Sequence, residues 1–428
     1  MIRFILADLR RLWLGSSVVI LLVALAVALG VTVTLQERAL RLGSARAADT
    51  FDLVIGAAGS ETQLVLSSVF LQPSPLPLMD GSILAKLASD PRVAWAAPIG
   101  FGDSFAGYPV VGTTTALIEN LGGGLLEGQM FAREGDAVIG ASVTLSLAAT
   151  IKPMHGTAEE GGETHTEMAY TVTGRLKPTG TAWDRAILVP IQAVWHIHGM
   201  GHADHAGEEP GHDAAHEEAG RDAAHEAGHD HAHENTANPL AALTERFDGE
   251  LPGLPAILVK PKTMADAYRL RQDYRSGNTL GVFPAEVLTR LYGTLGDARL
   301  VLGAVAAGSQ ALVAASLLMV TVIHIGQRRR QIGALRAFGA PRHALFAIVW
   351  LELFSLVAVG VALGFALGYA AATAISKVLS ENSGVALPVA FSKQDLWLAA
   401  ILLAFSGLLA ALPAVLAYRQ SPAAALRS

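Results

Sequence analysis

The sequence predicts a membrane protein: four transmembrane helices in a one-plus-three layout, with a large α+β extracytoplasmic domain inserted between the first and the second. Three observations lead there. The chain of 428 residues is 52% hydrophobic and only 16% charged, against about 25% charged in soluble proteins. Its apolar residues gather in four long runs, each near the ~20 residues that a helix needs to cross a hydrocarbon core. One run lies near the N-terminus and three crowd the last third, with residues 36–299 of ordinary mixed composition between them. A net charge of -6 without a basic domain argues against nucleic acid as a partner. Cysteine is absent, so any metal must be held by His, Asp or Glu.

The first thirteen residues carry Arg3, Arg10 and Arg11 and are read as a cytoplasmic N-terminus. The first span is "LGSSVVILLVALAVALGVTVTL", residues 14–35. A cleaved signal peptide is the competing reading, because "ARA" at 45–47 looks like a cleavage site. The apolar run is longer than an h-region of about 7–15 residues, however, and Glu37, Arg38 and Arg41 intervene. An uncleaved anchor is favoured.

Residues 36–299 read as mixed α+β. Strands are expected at "FDLVIG" (51–56), "YPVVGT" (108–113), "DAVIG" (136–140), "MAYTVTGRL" (168–176), "AILVP" (186–190) and "AILVKP" (256–261), apolar runs ended by Gly or Pro. Helices are expected near 82–89, 141–149 and 263–275. The stretch 285–300 reads as a helical stalk running into the second span at 300–326. The third and fourth spans are 344–376 and 396–418, joined by a short extracytoplasmic loop at 377–395, with a cytoplasmic tail at 419–428.

Orientation follows from arginine and lysine in short loops. The connection at 327–343, "QRRRQIGALRAFGAPRH", holds five arginines and no acid, whereas Lys377 and Lys393 are balanced by Glu381 and Asp395. The Arg-rich loop is therefore cytoplasmic, and both termini lie on its side.

"RRRQIGALRAFGAPRHALFAIVWLELF" (328–354), the ending "YRQSPAAALRS" (418–428) and, in the outer domain, "LLEGQMF", "DAVIGASVTLSLA" and "YTVTGRLKPTGTAWDRAILVPIQAV" together resemble the MacB/FtsX/LolE-like family of ABC-transporter permeases. The resemblance implies a permease of the bacterial inner membrane with a MacB-like periplasmic domain, working as a homodimer or as a heterodimer with a related permease. It also implies a cytoplasmic ABC ATPase as partner, which binds the ATP, and spans that relay motion to the outer domain. No lysine here follows a glycine, so the G-x-x-x-x-G-K-[ST] phosphate loop is missing and the ATPase must be a separate subunit. The chain is not expected to be an enzyme.

For coupling to that ATPase the candidates are Arg328, Arg329, Arg330, Ile332, Leu335, Arg336 and Phe338. On a short helix the apolar members form a ridge flanked by the arginines. The plainer alternative is that these arginines only fix topology. Gly360, Gly364 and Gly368 form a small-residue stripe for close helix packing. His324 and Glu352 are ionisable groups in or beside spans, and pairing near the interface is favoured over an ion path.

Ten of the 14 histidines fall in one tract: His196, His198, His202, His205, His212, His216, His225, His229, His231 and His233, interleaved with Asp and Glu. Imidazole and carboxylate suit zinc, nickel or copper, and the many degenerate ligand sets imply capture and not a rigid catalytic centre. The insert, 195–235, is low in complexity and expected to be disordered without metal. A solubilising linker and a pH sensor are the alternatives. His155 and His165 flank "GTAEEGGET" and are possible extra ligands, although an exposed turn is the simpler reading. "HIHGMGH" lacks the H-E-x-x-H arrangement of helical zinc hydrolases. Three functions are thus weighed: a permease handling zinc or a related metal, with a periplasmic metal-binding or client protein as a further partner; a lipoprotein-release or efflux permease with an incidental tract; and a metal sensor without ATP coupling.

Overall fold

The computed structural model describes residues 13–72, 74–156, 168–198, 238–247, 251–293, scattered positions between 303 and 315, and 341–419. Along the chain the helices are α1 (Trp13–Asp49), α2 (Glu61–Ser68), α3 (Ser82–Ser89), α4 (Thr115–Asn120), α5 (Ile191–Ile197), α6 (Met264–Asp273), α7 (Arg342–Ser383) and α8 (Lys393–Arg419). The strands are β1 (Leu53–Ala57), β2 (Val93–Phe105), β3 (Tyr108–Thr113), β4 (Leu125–Gly128), β5 (Asp136–Ile139), β6 (Thr150–Ile151), β7 (Met154–His155), β8 (Tyr170–Leu176), β9 (Ile187–Pro190), β10 (Ala256–Pro261) and β11 (Thr279–Val282). Residues 284–293 are helical too. The chain divides into one unit of Ala45–Thr289 with Ser383–Val385, and another of Met1–Ser44, Arg290–Asn382 and Ala386–Ser428.

The first unit is built on a mixed sheet in the order β11-β1-β10-β2-β3-β9-β5-β8-β4, with β6 on β8 and β7 on β2. Its apolar runs are continuous because both faces are covered. In β1, Val54 joins one core while Leu53 and Ile55 join the other, and β10 divides in the same way, with Ala256 and Leu258 opposite Ile257 and Val259. That alternation is the period of two expected of a strand. Leu64 and Val65 of α2 and Leu117 and Ile118 of α4 cover one face. Ile83, Leu84 and Leu87 of α3, Ile191 and Trp195 of α5 and Leu270 of α6 cover the other.

Two expectations are corrected. Residues 141–149 form no helix. Arg175 donates to the carbonyls of Val143 and Leu145, Ala148 takes a φ of 64°, and the Ser142 and Ala148 amides bond to Asp184 and Val172, so most of these groups are tied to neighbouring segments and not into a helix. The His-rich insert also begins later than residue 195. Trp195 is buried, His196 lies in α5 and His198 is the residue that caps it. The residues from 199 to 237 lie outside the described part.

In the second unit α1 and α7 contain stretches long and apolar enough to cross a membrane, Trp13–Asp49 and Phe346–Ser383. Both leave apolar side chains exposed, among them Leu21, Leu25 and Leu29 on α1 and Val359, Leu363 and Leu367 on α7; their spacing of four puts each set on one helix face. Other faces of the two helices meet each other. Gly360, Gly364 and Gly368 lie against Val23, Val27 and Val31, so close that an added Cβ would come within 2.7, 2.6 and 2.8 Å of the valine Cβ atoms. Near the C-terminal half of α1, Arg38 forms a two-pronged ion pair with Asp395 of α8, at 2.7 and 3.0 Å. Trp350 of α7 donates to the Gly407 carbonyl of α8 at 2.8 Å. The expected second span at 300–326 falls almost wholly outside the described residues, and so do His324 and the coupling candidates Arg328, Arg329, Arg330, Ile332, Leu335, Arg336 and Phe338.

Candidate metal centre

The long strand β2 serves two neighbours in turn. Val93 to Ile99 pair with β10, and Gly100 onward pairs with β3 and β7. Between Gly100 and Asp103 the register slips: Gly100 faces Gly112 and Asp103 faces Val110, so β2 carries one extra residue. Such a bulge bends a strand and re-aims its side chains. Gly102 sits inside it with a φ of 154°, a conformation that residues with a Cβ rarely adopt. Asp103 emerges from the bulge with its side chain only 3% exposed.

Two histidines converge on that carboxylate. β7 is a two-residue strand whose His155 lies directly opposite Asp103 in an antiparallel pair, so the two side chains share a sheet face. His155 Nδ1 is 3.5 Å from Asp103 Oδ1. The other histidine arrives on α5, which rests on a flat seat made by Gly100 and Gly112. A Cβ at either glycine would lie 2.7 Å from Ile191 or 2.6 Å from Val194, so the absence of side chains there brings α5 down onto the strands. His198 ends the helix with its ring over the bulge, and a Cβ at Gly102 would be 3.1 Å from His198 Nε2. That nitrogen is 3.6 Å from Asp103 Oδ1.

The two imidazole rings are 5.5 Å apart between centroids, and one ligand atom from each of Asp103, His155 and His198 lies within 4.8 Å of the others. His198 Nδ1 is 2.9 Å from the Val194 carbonyl, which fixes that nitrogen as the N–H donor and turns Nε2 toward the carboxylate. Contact with Asp103 raises the imidazole pKa above its ordinary value, against the opposing effect of burial. Beneath the site Tyr170 is fully buried, and burial, with Asp103 and Glu134 adding their charge, pushes its phenol up.

His196, one turn earlier, goes elsewhere: its Nδ1 is 3.0 Å from Glu134 Oε2. Of the ten tract histidines, His196 and His198 are therefore placed, in two different clusters. His202, His205, His212, His216, His225, His229, His231 and His233 lie outside the described residues, as does His165. His155, an exposed-turn residue by sequence, is in a strand pair and belongs to the cluster. Asp103 and Glu134 were not foreseen. The only sequence sign of Asp103 is "GFGDSF", in which closely spaced glycines within a strand hint at a bulge.

Comparison with known proteins bears on the other unit. Residues 303–423 match the family model described as FtsX-like permease C-terminal. That part of the chain is similar to an FtsX-like permease domain. That domain takes in the three C-terminal apolar runs and the Arg-rich loop between the first two of them. No curated protein matches. Among solved structures, the periplasmic region of MacB from Actinobacillus actinomycetemcomitans aligns at 9% identity and a TM-score of 0.31, over 57% of this chain and 95% of that one. The extracellular domain of the noncanonic ABC-type transporter YknZ from Gram-positive bacteria aligns at 8% identity and a TM-score of 0.27, over 54% and 98%. Neither likeness carries weight beyond the alignment itself.

Proposed function

We propose that this chain is the membrane subunit of an ABC transporter, which couples ATP hydrolysis by a separate cytoplasmic ATPase to motion of its extracytoplasmic domain in the handling of zinc or a related transition metal. The observation that carries the transporter half is the FtsX-like permease match over residues 303–423. The metal half is supported by the gathering of Asp103, His155 and His198, the last of which is followed in sequence by the rest of the histidine-rich tract. In this reading the chain crosses the inner membrane four times with both termini inside. Arg328, Arg329, Arg330, Ile332, Leu335, Arg336 and Phe338 dock on the ATPase, and two copies, or one copy and a related permease, assemble around it. Gly360, Gly364 and Gly368 let α7 approach α1 closely enough for the pair to move as one body. The tract histidines raise the local concentration of metal beside the domain.

The test is recovery of the chain from native membranes with a mild detergent. An ATP-hydrolysing partner should come with it, and should be lost when Arg329, Arg330 and Arg336 are replaced by Glu. If no ATPase accompanies the chain and the arginine variants behave like the parent, the transporter reading fails. If the ATPase comes but zinc changes nothing about the complex, a lipoprotein-release or efflux permease replaces the metal-handling one.

A further inference from the structure

We infer that Asp103, His155 and His198 form a three-ligand site for a divalent transition metal, with zinc the natural fit and a fourth position left open to an exchangeable ligand. The inference rests on the metal-handling reading above and gives it a place in the molecule.

The spacing of the three groups suits a shared metal ion. Asp103 Oδ1 stands 3.5 Å from His155 Nδ1 and 3.6 Å from His198 Nε2. Ligands about 2.0–2.1 Å from zinc at tetrahedral angles are about 3.3 Å apart. The carboxylate oxygen thus keeps the spacing of a polyhedron edge with both imidazoles. The orientation agrees as well, because His198 gives its other ring N–H to a backbone carbonyl, Val194 O at 2.9 Å, the second contact that metal-bound histidines nearly always make.

The donor set narrows the ion. Two imidazoles disfavour calcium and magnesium, which take oxygen, and favour zinc and its neighbours. Three protein ligands leave one position of a tetrahedron, the arrangement of sites that exchange a ligand, unlike the closed four-ligand structural sites. The placement leaves the site open to solvent on one side. His155 is more than half exposed, with a side-chain value of 59%, while Asp103 and His198 lie at 3% and 19%, so metal enters from one side. The chain continues from His198 into the tract, and from His155 into the acid-rich "GTAEEGGETH".

The test uses the full chain in detergent with residues 202–233 removed, which deletes eight tract histidines and keeps His196 and His198. Titrated with zinc against a competing chelator, this protein should bind one ion per chain. With cobalt it should give the intense visible absorption of a four-coordinate ion. His155→Ala alters an exposed side chain and leaves the fold intact. It should weaken binding by more than about tenfold, the lower end of what removing a second-shell partner costs, and so should Asp103→Asn and His198→Ala. Failure of the shortened chain to bind zinc, or equal binding by His155→Ala, overturns the inference, and the metal-handling reading then stands on the tract alone. The converse is distinguishable: a site that binds zinc as described, in a complex whose ATPase ignores zinc, keeps the inference and removes the reading.

Discussion

At the scale of single residues, the metal cluster depends on a glycine that contributes no ligand. Gly102 gives the bulge its φ of 154° and leaves room for the His198 ring. Gly102→Ala should cost about 1–3 kcal/mol of domain stability through backbone strain and weaken zinc binding in the same protein, both measurable by thermal unfolding with and without zinc. A second prediction concerns charge. Arg92 grips Asp90 at 2.7 Å and Asp273 at 2.8 Å, and its guanidinium holds the Asp90 carboxyl below its ordinary value. A carboxyl depressed in the folded state stabilises fully above its unfolded value, about 4, and loses that contribution as pH falls through the folded value. Arg92→Ala should therefore destabilise by less than about 1 kcal/mol, as expected of a largely exposed pair. The deficit should be constant above about pH 4 and should shrink in stronger acid. His196 and His198 were legible in the sequence because they open a run of histidines. Asp103 was not, since a lone carboxylate in a strand gains meaning only from a bulge, and a bulge is set by pairing with β3.

Elements tell a similar story. The apolar runs at 14–35, 344–376 and 396–418 lie within α1, α7 and α8, because an unbroken apolar stretch needs no partner to declare itself. The stretch at 141–149 misled because its leucine and alanine content suits a helix, while Arg175 takes its carbonyls. β7 went unseen because two residues carry no period. The helix contacts yield a prediction. Replacing Gly364 with Ile drives a side chain into Val27, whose Cβ is 2.6 Å from the position an added Cβ would take. Overpacking costs about 1–3 kcal/mol, so the melting temperature in detergent should fall, and Gly364→Ala should lower it less. Asp395→Asn removes the charge partner of Arg38, whose side chain is 16% exposed. Breaking a largely buried pair costs about 3–5 kcal/mol, and exchanging the two residues as Arg38→Asp with Asp395→Arg should restore part of the loss.

For the whole molecule, the crowded apolar runs and the Arg-rich loop made the permease-like C-terminal part legible, and the match over 303–423 agrees with that part. The sheet order was not legible, since β1 pairs with β10 and β3 with β9 across long stretches of sequence, and only the folded chain brings such partners together. The proposed function joins two roles in one chain: metal would be met in the unit that holds Asp103, His155 and His198, and energy would enter through the part similar to an FtsX-like permease. The measurement that tests this most directly is ATP hydrolysis by the purified complex of this chain with its ATPase, followed while free zinc is raised in a metal buffer. The account predicts a rate that climbs with zinc, at higher zinc for Asp103→Asn than for the parent. A rate that stays level across the whole zinc range, in a complex whose ATPase still depends on Arg329, Arg330 and Arg336, would contradict it.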